Sequence, residues 1–461
     1  MYFLYSFVMA LGALAAAPYF FIKGLRSGKY QSNLSERFGK VPPELTLKSS
    51  GCIWIHAVSV GEVLAALPLA KRLKIEFLQT PLVISTTTNT GQALARQRID
   101  LADGVFYFPF DWAWIVRRVI RAIKPACIII METEIWPNFL REARRANVPI
   151  VFANGRISDR SFRRHDRLLG AFSFVMRRFY KNVLANATVF LMQSETDAAR
   201  VRTLGAPPER VVVTGNLKYD SPQPTATPLE LWLAAAVDRL GRRPLIVAGS
   251  VTSGEEPLVL IAFGVLQGQI RNSFLVLAPR KPERFDAAAR HIEESHRKYV
   301  RRSQLRIAEN EGDALAGGES VLLLDSIGEL AGLYRIADAV FIGGSLVPAG
   351  GHNLLEPAGF GKPPLFGPSM ENFQEVAAAF LARGAALQVD GPESLGVAWI
   401  ELVEDAERNR SMGETARSLV EENRGATERT IKRIISLLPG LSDPAENDVR
   451  TNAASNSGSG V

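Results

Sequence analysis

Short, almost wholly apolar runs recur along this chain, and they constrain its fold more than any other feature. In the first half they are "GCIWIHA" (51–57), "PLVISTTT" (81–88), "GVFYFPF" (104–110), "ACIIIM" (126–131), "VPIVFAN" (148–154), "VFLMQS" (189–194) and "RVVVTG" (210–215). In the second they are "RPLIVAG" (243–249), "FLVLAP" (274–279), "VLLLD" (321–325), "AVFIGGS" (339–345) and "PPLFGP" (363–368). Helical patterns separate them. A strand exposed on one face alternates apolar and polar residues, whereas one covered on both faces reads as a continuous Val/Ile/Leu run. The chain is therefore expected to be α/β, with doubly wound parallel sheets.

Residues 219 to 232, "YDSPQPTATPLELW", carry three prolines among small polar residues and divide the runs into two groups. We expect a first domain over 23–220, a linker over 221–232, a second domain over 233–438, and a disordered polar tail over 439–461. Ligands of such folds bind beyond the carboxyl ends of the strands, so an interdomain cleft is the expected site. With 461 residues and 47% apolar side chains, the chain can bury two such cores.

Residues 1 to 22 contain no charged side chain, and Lys23, Arg26 and Lys29 follow at once. About 20 apolar residues suffice to span a bilayer, and basic residues after the segment keep that side cytoplasmic. A membrane anchor at 1–22 is expected; a cleaved leader or an interfacial helix are the alternatives, and no Lys or Arg precedes the run as a leader requires. The two cysteines, Cys52 and Cys127, lie in apolar runs and suggest neither a disulfide framework nor zinc.

The net charge of +7 is uneven: between Arg156 and Lys181 stand eight basic side chains against Asp159 and Asp166, interleaved with Phe162, Phe172, Phe174, Phe179 and Tyr180. Such a stretch suits an anionic amphiphile or a membrane surface. No recognised nucleic-acid module surrounds it, and a solvated basic helix face is the simpler alternative.

Candidate chemistry sits at strand ends. "HAVSVGEV" (56–63) hands a strand to a helix, and Ser59 and Glu62 have the spacing of a capping box, so Glu62 is either a cap or a reactive carboxylate. Glu132 follows "ACIII", and Lys218 lies just past "RVVVTG". In the second half Arg280, Lys281 and Arg284 follow a strand, and the glycine loop 343–351 leads to a helix opening near Asn353 with Glu356 in its first turn. Glycines allow backbone approach to a ligand, helix starts offer amides to phosphate, and arginine binds phosphate in a fork. Nucleotide binding is the expectation. No phosphate-loop, H-E-x-x-H or D-x-D motif occurs, so no metal or cofactor is implied.

Taken in order, "HAVSVGE", "METEIWPN", "ANGRIS", "VTGNLKYD", "APRKPERF", "IGEL" and "GGSLVPAGGHNLLEPA" resemble the 3-deoxy-D-manno-octulosonic acid (Kdo) transferases of lipopolysaccharide assembly, over the chain up to about residue 430. The resemblance implies a GT-B fold, CMP-Kdo as donor, the lipid A precursor (lipid IVA) as acceptor, and the cytoplasmic face of the inner membrane. It implies Glu62 as general base, with Glu132 and Lys218 supporting the transition state. It implies that CMP is held by Pro279 and Arg280, by Ile327, Gly328 and Glu329, and by Asn353, Leu354, Leu355 and Glu356. Family members often carry Met at the position of Ile327 and Pro at that of Leu354. Arg156, Arg163, Arg164 and Arg167 are expected to meet the acceptor phosphates. The alternatives are another GT-B sugar-nucleotide enzyme, such as an epimerase or a different lipid-linked glycosyltransferase, and a catalytically silent membrane scaffold.

Overall fold

The computed structural model of the chain describes residues 1–27, 34–43, 45, 51–97, 102–157, 161–163, 173–220, 223–307, 315 and 317–438. It divides into two compact units, Met1–Ser221 with Arg424–Val461, and Pro222–Asn423.

The first unit holds a sheet of seven described strands: β1 (Ile53–His56), β2 (Leu82–Thr86), β3 (Gly104–Tyr107), β4 (Cys127–Met131), β5 (Ile150–Gly155), β6 (Val189–Met192) and β7 (Val211–Val213). All pair in parallel, in the order β3-β2-β1-β4-β5-β6-β7. The chain starts in the middle, builds outward through β2 and β3, then returns to the other side of β1. Successive side chains alternate between faces, and both faces are apolar: Trp54 enters one core while Ile53 and Ile55 enter the other. Each such fully buried side chain contributes roughly 1.5–3 kcal/mol.

The second unit repeats the plan with β8 (Leu245–Val251), β9 (Phe274–Pro279), β10 (Tyr299–Arg301), β11 (Val321–Leu323), β12 (Ala339–Ile342), β13 (Pro364–Phe366) and β14 (Leu387–Gln388). Their order is β10-β11-β9-β8-β12-β13-β14, again parallel. All twelve apolar runs are strands. The two further strands, β10 and β14, are short edges.

Three boundaries differ from expectation. Residues 228–232 are helix rather than linker: Thr227 caps the helix Pro228–Arg239 in a complete capping box with Glu230, and Pro228 occupies the first turn, where a missing amide costs nothing. Residues 424–438 belong to the first unit rather than the second. The helix Ala426–Leu437 buries Ala426, Ile431 and Ile434 in the same core as Leu69 and Leu73 of the helix Val60–Glu76, and Asp220 accepts the amides of Gly425 (2.7 Å) and Thr427 (2.5 Å) at its start. The expected tail, 439–461, lies outside the described residues.

The third concerns the N-terminus. Tyr2–Ser27 is one helix of 26 residues, yet among the described residues no helix is long and apolar enough to cross a membrane. Its first turns dock on the first unit. The Asn186 amide donates to the Tyr2 hydroxyl (3.2 Å), the Asn138 side chain to the Ser6 hydroxyl (2.9 Å) and the Trp112 indole to the Ser6 carbonyl (3.4 Å), while Tyr2 meets Phe179 edge-on. Phe3, Leu4, Phe7, Val8, Leu11 and Leu14 remain exposed.

Candidate functional site

In the first unit β1 ends at His56 and turns into the helix Val60–Glu76. The turn rests on the end of β2, whose following amides, Thr87 and Thr88, donate to the Val58 carbonyl at 3.3 and 3.2 Å. Ser59 caps the helix by accepting the Glu62 amide at 3.4 Å. A capping box would return the Glu62 carboxylate to the Ser59 amide; here it accepts instead from the Val58 amide (2.8 Å) and the Ser59 hydroxyl (3.0 Å). The side chain is only 6% exposed. Burial pushes its carboxyl up to about 8, against the Val58 hydrogen bond, and the charges of Glu132 and Glu134 push the same way. A carboxylate tuned to neutrality is what general-base catalysis needs.

Glu132 follows β4, the strand beside β1 on the side where the chain reverses direction across the sheet. Ligands of doubly wound sheets bind at this switch. Glu132 takes a left-handed conformation (φ 54°), unusual for a side chain of its kind, and its amide donates to Ala153 at 2.9 Å. The Thr133 hydroxyl and the backbone of Arg156 bond to each other in both directions, at 2.6 and 2.9 Å. Asn154, fully buried and also left-handed (φ 56°), accepts the Leu217 amide at 2.9 Å and so fixes the turn Leu217–Asp220 that carries Lys218. The Lys218 amide donates to the Asn216 side chain at 3.0 Å. Burial raises Glu134 too, and Glu132 adds to the effect. The charges of Glu132 and Glu134 thus both act on Glu62 at the β1/β4 switch. Among the described residues no group of three or more His, Cys, Asp or Glu is arranged to hold a metal ion.

In the second unit the switch lies between β8 and β12. Pro279 is buried at the end of β9, and exposed Arg280 donates its amide to Val251 at 2.8 Å. The loop after β12 folds tightly: a side chain on Gly344 (φ 72°) would lie within 2.9 Å of the His352 ring. Burial pushes His352 down to about 4, and the Arg280 charge pushes the same way. Arg280 also favours the ionised form of Glu356, whose carboxyl burial raises and to which Asn353 donates at 3.1 Å. The charge of the arginine turn therefore acts on two side chains that follow the glycine loop, His352 and Glu356.

The helix Leu355–Gly359 has only five residues, and the Asn353 side chain accepts the Leu355 amide at 3.1 Å, so the expected row of open amides is partly taken. Leu354 and Leu355 are buried. Ile327 is 70% exposed beside Gly328 (φ 96°), while Glu329 is paired with Arg302, whose Nε and Nη2 lie 2.9 to 3.1 Å from its oxygens.

A family model described as 3-deoxy-D-manno-octulosonic-acid transferase (kdotransferase) matches residues 32–221. The 3-deoxy-D-manno-octulosonic acid transferase of Haemophilus influenzae is 33% identical over 415 residues, covering 88% of this chain and 92% of that protein. The Bordetella pertussis protein of the same description is 33% identical over 414 residues, covering 88% and 91%. The chain belongs to the Kdo transferase family. It is a glycosyltransferase that moves Kdo in lipopolysaccharide biosynthesis. Its architecture is also that of HepE from Anabaena in complex with UDP, at 14% identity, a TM-score of 0.53 and coverage of 84% of this chain and 99% of that one, a likeness of fold alone.

Within this Kdo transferase, the charge of Glu132 acts on Glu62, and Lys218 sits on the turn that Asn154 holds. Pro279, Arg280 and the 353–356 stretch gather in the second unit. Arg284, read as a phosphate ligand, is instead committed to Glu256 at 2.8 Å. Of the basic stretch, Arg163 is exposed and Arg156 half-buried; Arg164 and Arg167 lie outside the described residues. Four residues escaped the sequence reading. Glu134 had a signal in the doubled glutamate of "METE", and Asn154 in "ANGRIS"; the adjacent acids Glu255 and Glu256 read as an ordinary acidic helix start.

Proposed function

We propose that this Kdo transferase takes CMP-Kdo as donor and the lipid A precursor lipid IVA as acceptor, with Glu62 as general base. The observation that carries the reading is the buried Glu62 carboxyl, pushed up to about 8 at the β1/β4 switch with Glu132 and Glu134 acting on it. A sugar hydroxyl is a poor nucleophile until its proton leaves. As the acceptor oxygen bonds to the anomeric carbon of Kdo, its proton passes to Glu62, and the carbon–oxygen bond to CMP breaks with its electron pair remaining on the phosphate. One displacement inverts the anomeric centre. Glu132 stabilises the positive charge that develops on the sugar. Lys218 and Arg280 favour the charge developing on the departing phosphate. Exposed Ile327 offers an apolar surface to the cytosine ring.

The acceptor is a lipid, and we propose that the helix Tyr2–Ser27 attaches the protein to the cytoplasmic face of the inner membrane. Tyr2 and Ser6 face protein, while the stripe from Phe3 to Leu14 is exposed and apolar. A helix with one side on protein and the other apolar suits an interfacial position. Arg156, Arg163, Arg164 and Arg167 meet the acceptor phosphates.

The deciding experiment is Kdo transfer from CMP-Kdo to lipid IVA, comparing wild type with Glu62→Gln at matched thermal stability. Collapse of turnover with retained CMP binding supports the reading; transfer at the wild-type rate removes Glu62 as the base.

A further inference from the structure

The pair Glu255–Glu256 stands at the start of the helix Glu256–Gln269, beyond the end of β8, and both side chains are fully buried. Two adjacent acids without exposure are unusual, because a carboxylate removed from water must find donors inside the protein. Each finds them on a different loop.

Glu255 reaches across the β8/β12 switch. Its Oε1 accepts the amides of Ser345 and Leu346, both at 2.8 Å, and its Oε2 accepts the amide of Gly344 at 2.5 Å. The same Oε2 accepts the Thr252 amide and hydroxyl, both at 2.9 Å, on its own side of the switch. Three successive amides pointing at one spot form the kind of concavity that elsewhere binds an anion. Here the anion is the protein's own. Glu256 turns the other way: its Oε1 receives Arg284 Nε and Nη2 at 2.9 and 2.8 Å, and its Oε2 the Gly254 amide at 3.0 Å. Arg284 ends the short turn Pro282–Arg284 that follows Pro279 and Arg280.

We infer that Glu255 and Glu256 are positioning residues for the donor, which deepens the donor-binding reading above and rests on it. Glu255 fixes the first residues of the glycine loop, from which His352, Asn353 and Glu356 follow. Glu256 fixes, through Arg284, the turn that presents Arg280. With the amides of residues 344 to 346 filled, the phosphate of the nucleotide is received further along, at Arg280 and the 350–353 stretch. Neither glutamate touches the donor; together they hold the two loops that do.

The test uses the full-length protein with CMP as the probe. Glu255→Gln keeps the side chain's size but points an amide donor at backbone donors. Hydrogen bonds to a charged group are strong enough that the dissociation constant for CMP and the KM for CMP-Kdo are expected to rise about tenfold or more, with the acceptor KM unchanged. Glu255→Asp keeps the charge and recovers part of that affinity. Arg284→Gln alters a side chain a quarter exposed and still offers Glu256 an amide donor, and it shifts CMP affinity in the same direction by a smaller factor. Wild-type affinity in both Glu255→Gln and Arg284→Gln, at matched melting temperature, overturns the role. Should Glu255→Gln fail to fold, Glu255→Asp and Arg284→Gln decide by the same criterion. If wild type itself binds no CMP, the donor reading falls, and amide exchange judges the clamp alone: faster exchange at Gly344, Ser345 and Leu346 in Glu255→Gln supports it, and unchanged exchange overturns it.

Discussion

The Val58 amide donates to Glu62 Oε2 at 2.8 Å, so the carboxylate folds back over the turn that precedes its own helix. The bond is local, yet the pull of Glu132 and Glu134 on the same group comes from a strand end some seventy residues later in the chain. Cap and catalyst are thus not alternatives at this position: Ser59 does the capping, and Glu62 is left with oxygens whose proton affinity the site controls.

Replacing Glu62 by Gln is expected to lower turnover by roughly 10²- to 10⁴-fold, the usual worth of a general base. Affinity for CMP stays within error of wild type. Initial rates of Kdo transfer alongside CMP titration give both quantities.

The same residue shapes the response to pH. Its folded-state value of about 8 lies above the ordinary 4.5, so across that interval the folded protein keeps a proton that the unfolded chain has lost. Its contribution to stability is therefore present below about pH 4.5 and is lost as pH rises towards 8. A melting series from pH 5 to 9 is expected to show Glu62→Gln gaining on wild type as pH rises. Since the base acts deprotonated, wild-type kcat/KM should climb to a plateau above about pH 8.

Asp111 accepts the amides of Asn138 (3.0 Å) and Phe139 (2.7 Å) at the start of the helix Pro137–Arg145, and burial pushes its carboxyl up to about 7. Asp111→Ala leaves two buried amides without an acceptor and should cost about 2 kcal/mol or more in denaturant unfolding. Asp111→Asn retains an acceptor oxygen and should lose less. The same carboxylate faces Tyr5, so limited proteolysis of the N-terminal helix should accelerate in the alanine variant.

Asn154→Gly separates two roles of one side chain. Glycine adopts the left-handed backbone freely, which removes about 1 kcal/mol of local strain, but it cannot accept the Leu217 amide. The expected result is a protein at least as stable as Asn154→Ala whose kcat is reduced roughly 10- to 100-fold through displacement of the Lys218 turn. Full activity in the glycine variant would show that the hydrogen bond does not place Lys218.

The N-terminal stripe gives a separable test of membrane attachment. Changing Phe3, Phe7 and Leu11 together to Ser removes exposed apolar surface without touching the docked face, and partition onto anionic lipid vesicles is expected to fall at least about tenfold. Melting temperature in the absence of vesicles should not move.

The sheets were legible because their strands are covered on both faces, which leaves an unbroken apolar signature. β10 and β14 were not, since Tyr299–Arg301 and Leu387–Gln388 are edge strands paired on one side and carrying polar residues. Glu62, Glu132 and Lys218 were legible from their positions just past strand ends. Glu255 was not: its partners at Gly344, Ser345 and Leu346 lie 89 to 91 residues away, and only the folded switch brings them within reach. Thr227, likewise, was hidden by prolines that read as a linker while one of them opens a helix.

The return of the chain at Arg424 bears on the order in which the protein acquires its structure during synthesis. The second unit is one contiguous stretch, Pro222–Asn423, and can form as soon as the ribosome has released it. The first unit, although begun earlier, waits for its last helix. Until Ala426–Leu437 emerges, the apolar face that Leu69 and Leu73 share with Ile431 and Ile434 has no cover. The half that carries Glu62 is thus completed last, and a message cut short after Asn423 yields an intact second unit attached to a first unit with an open core.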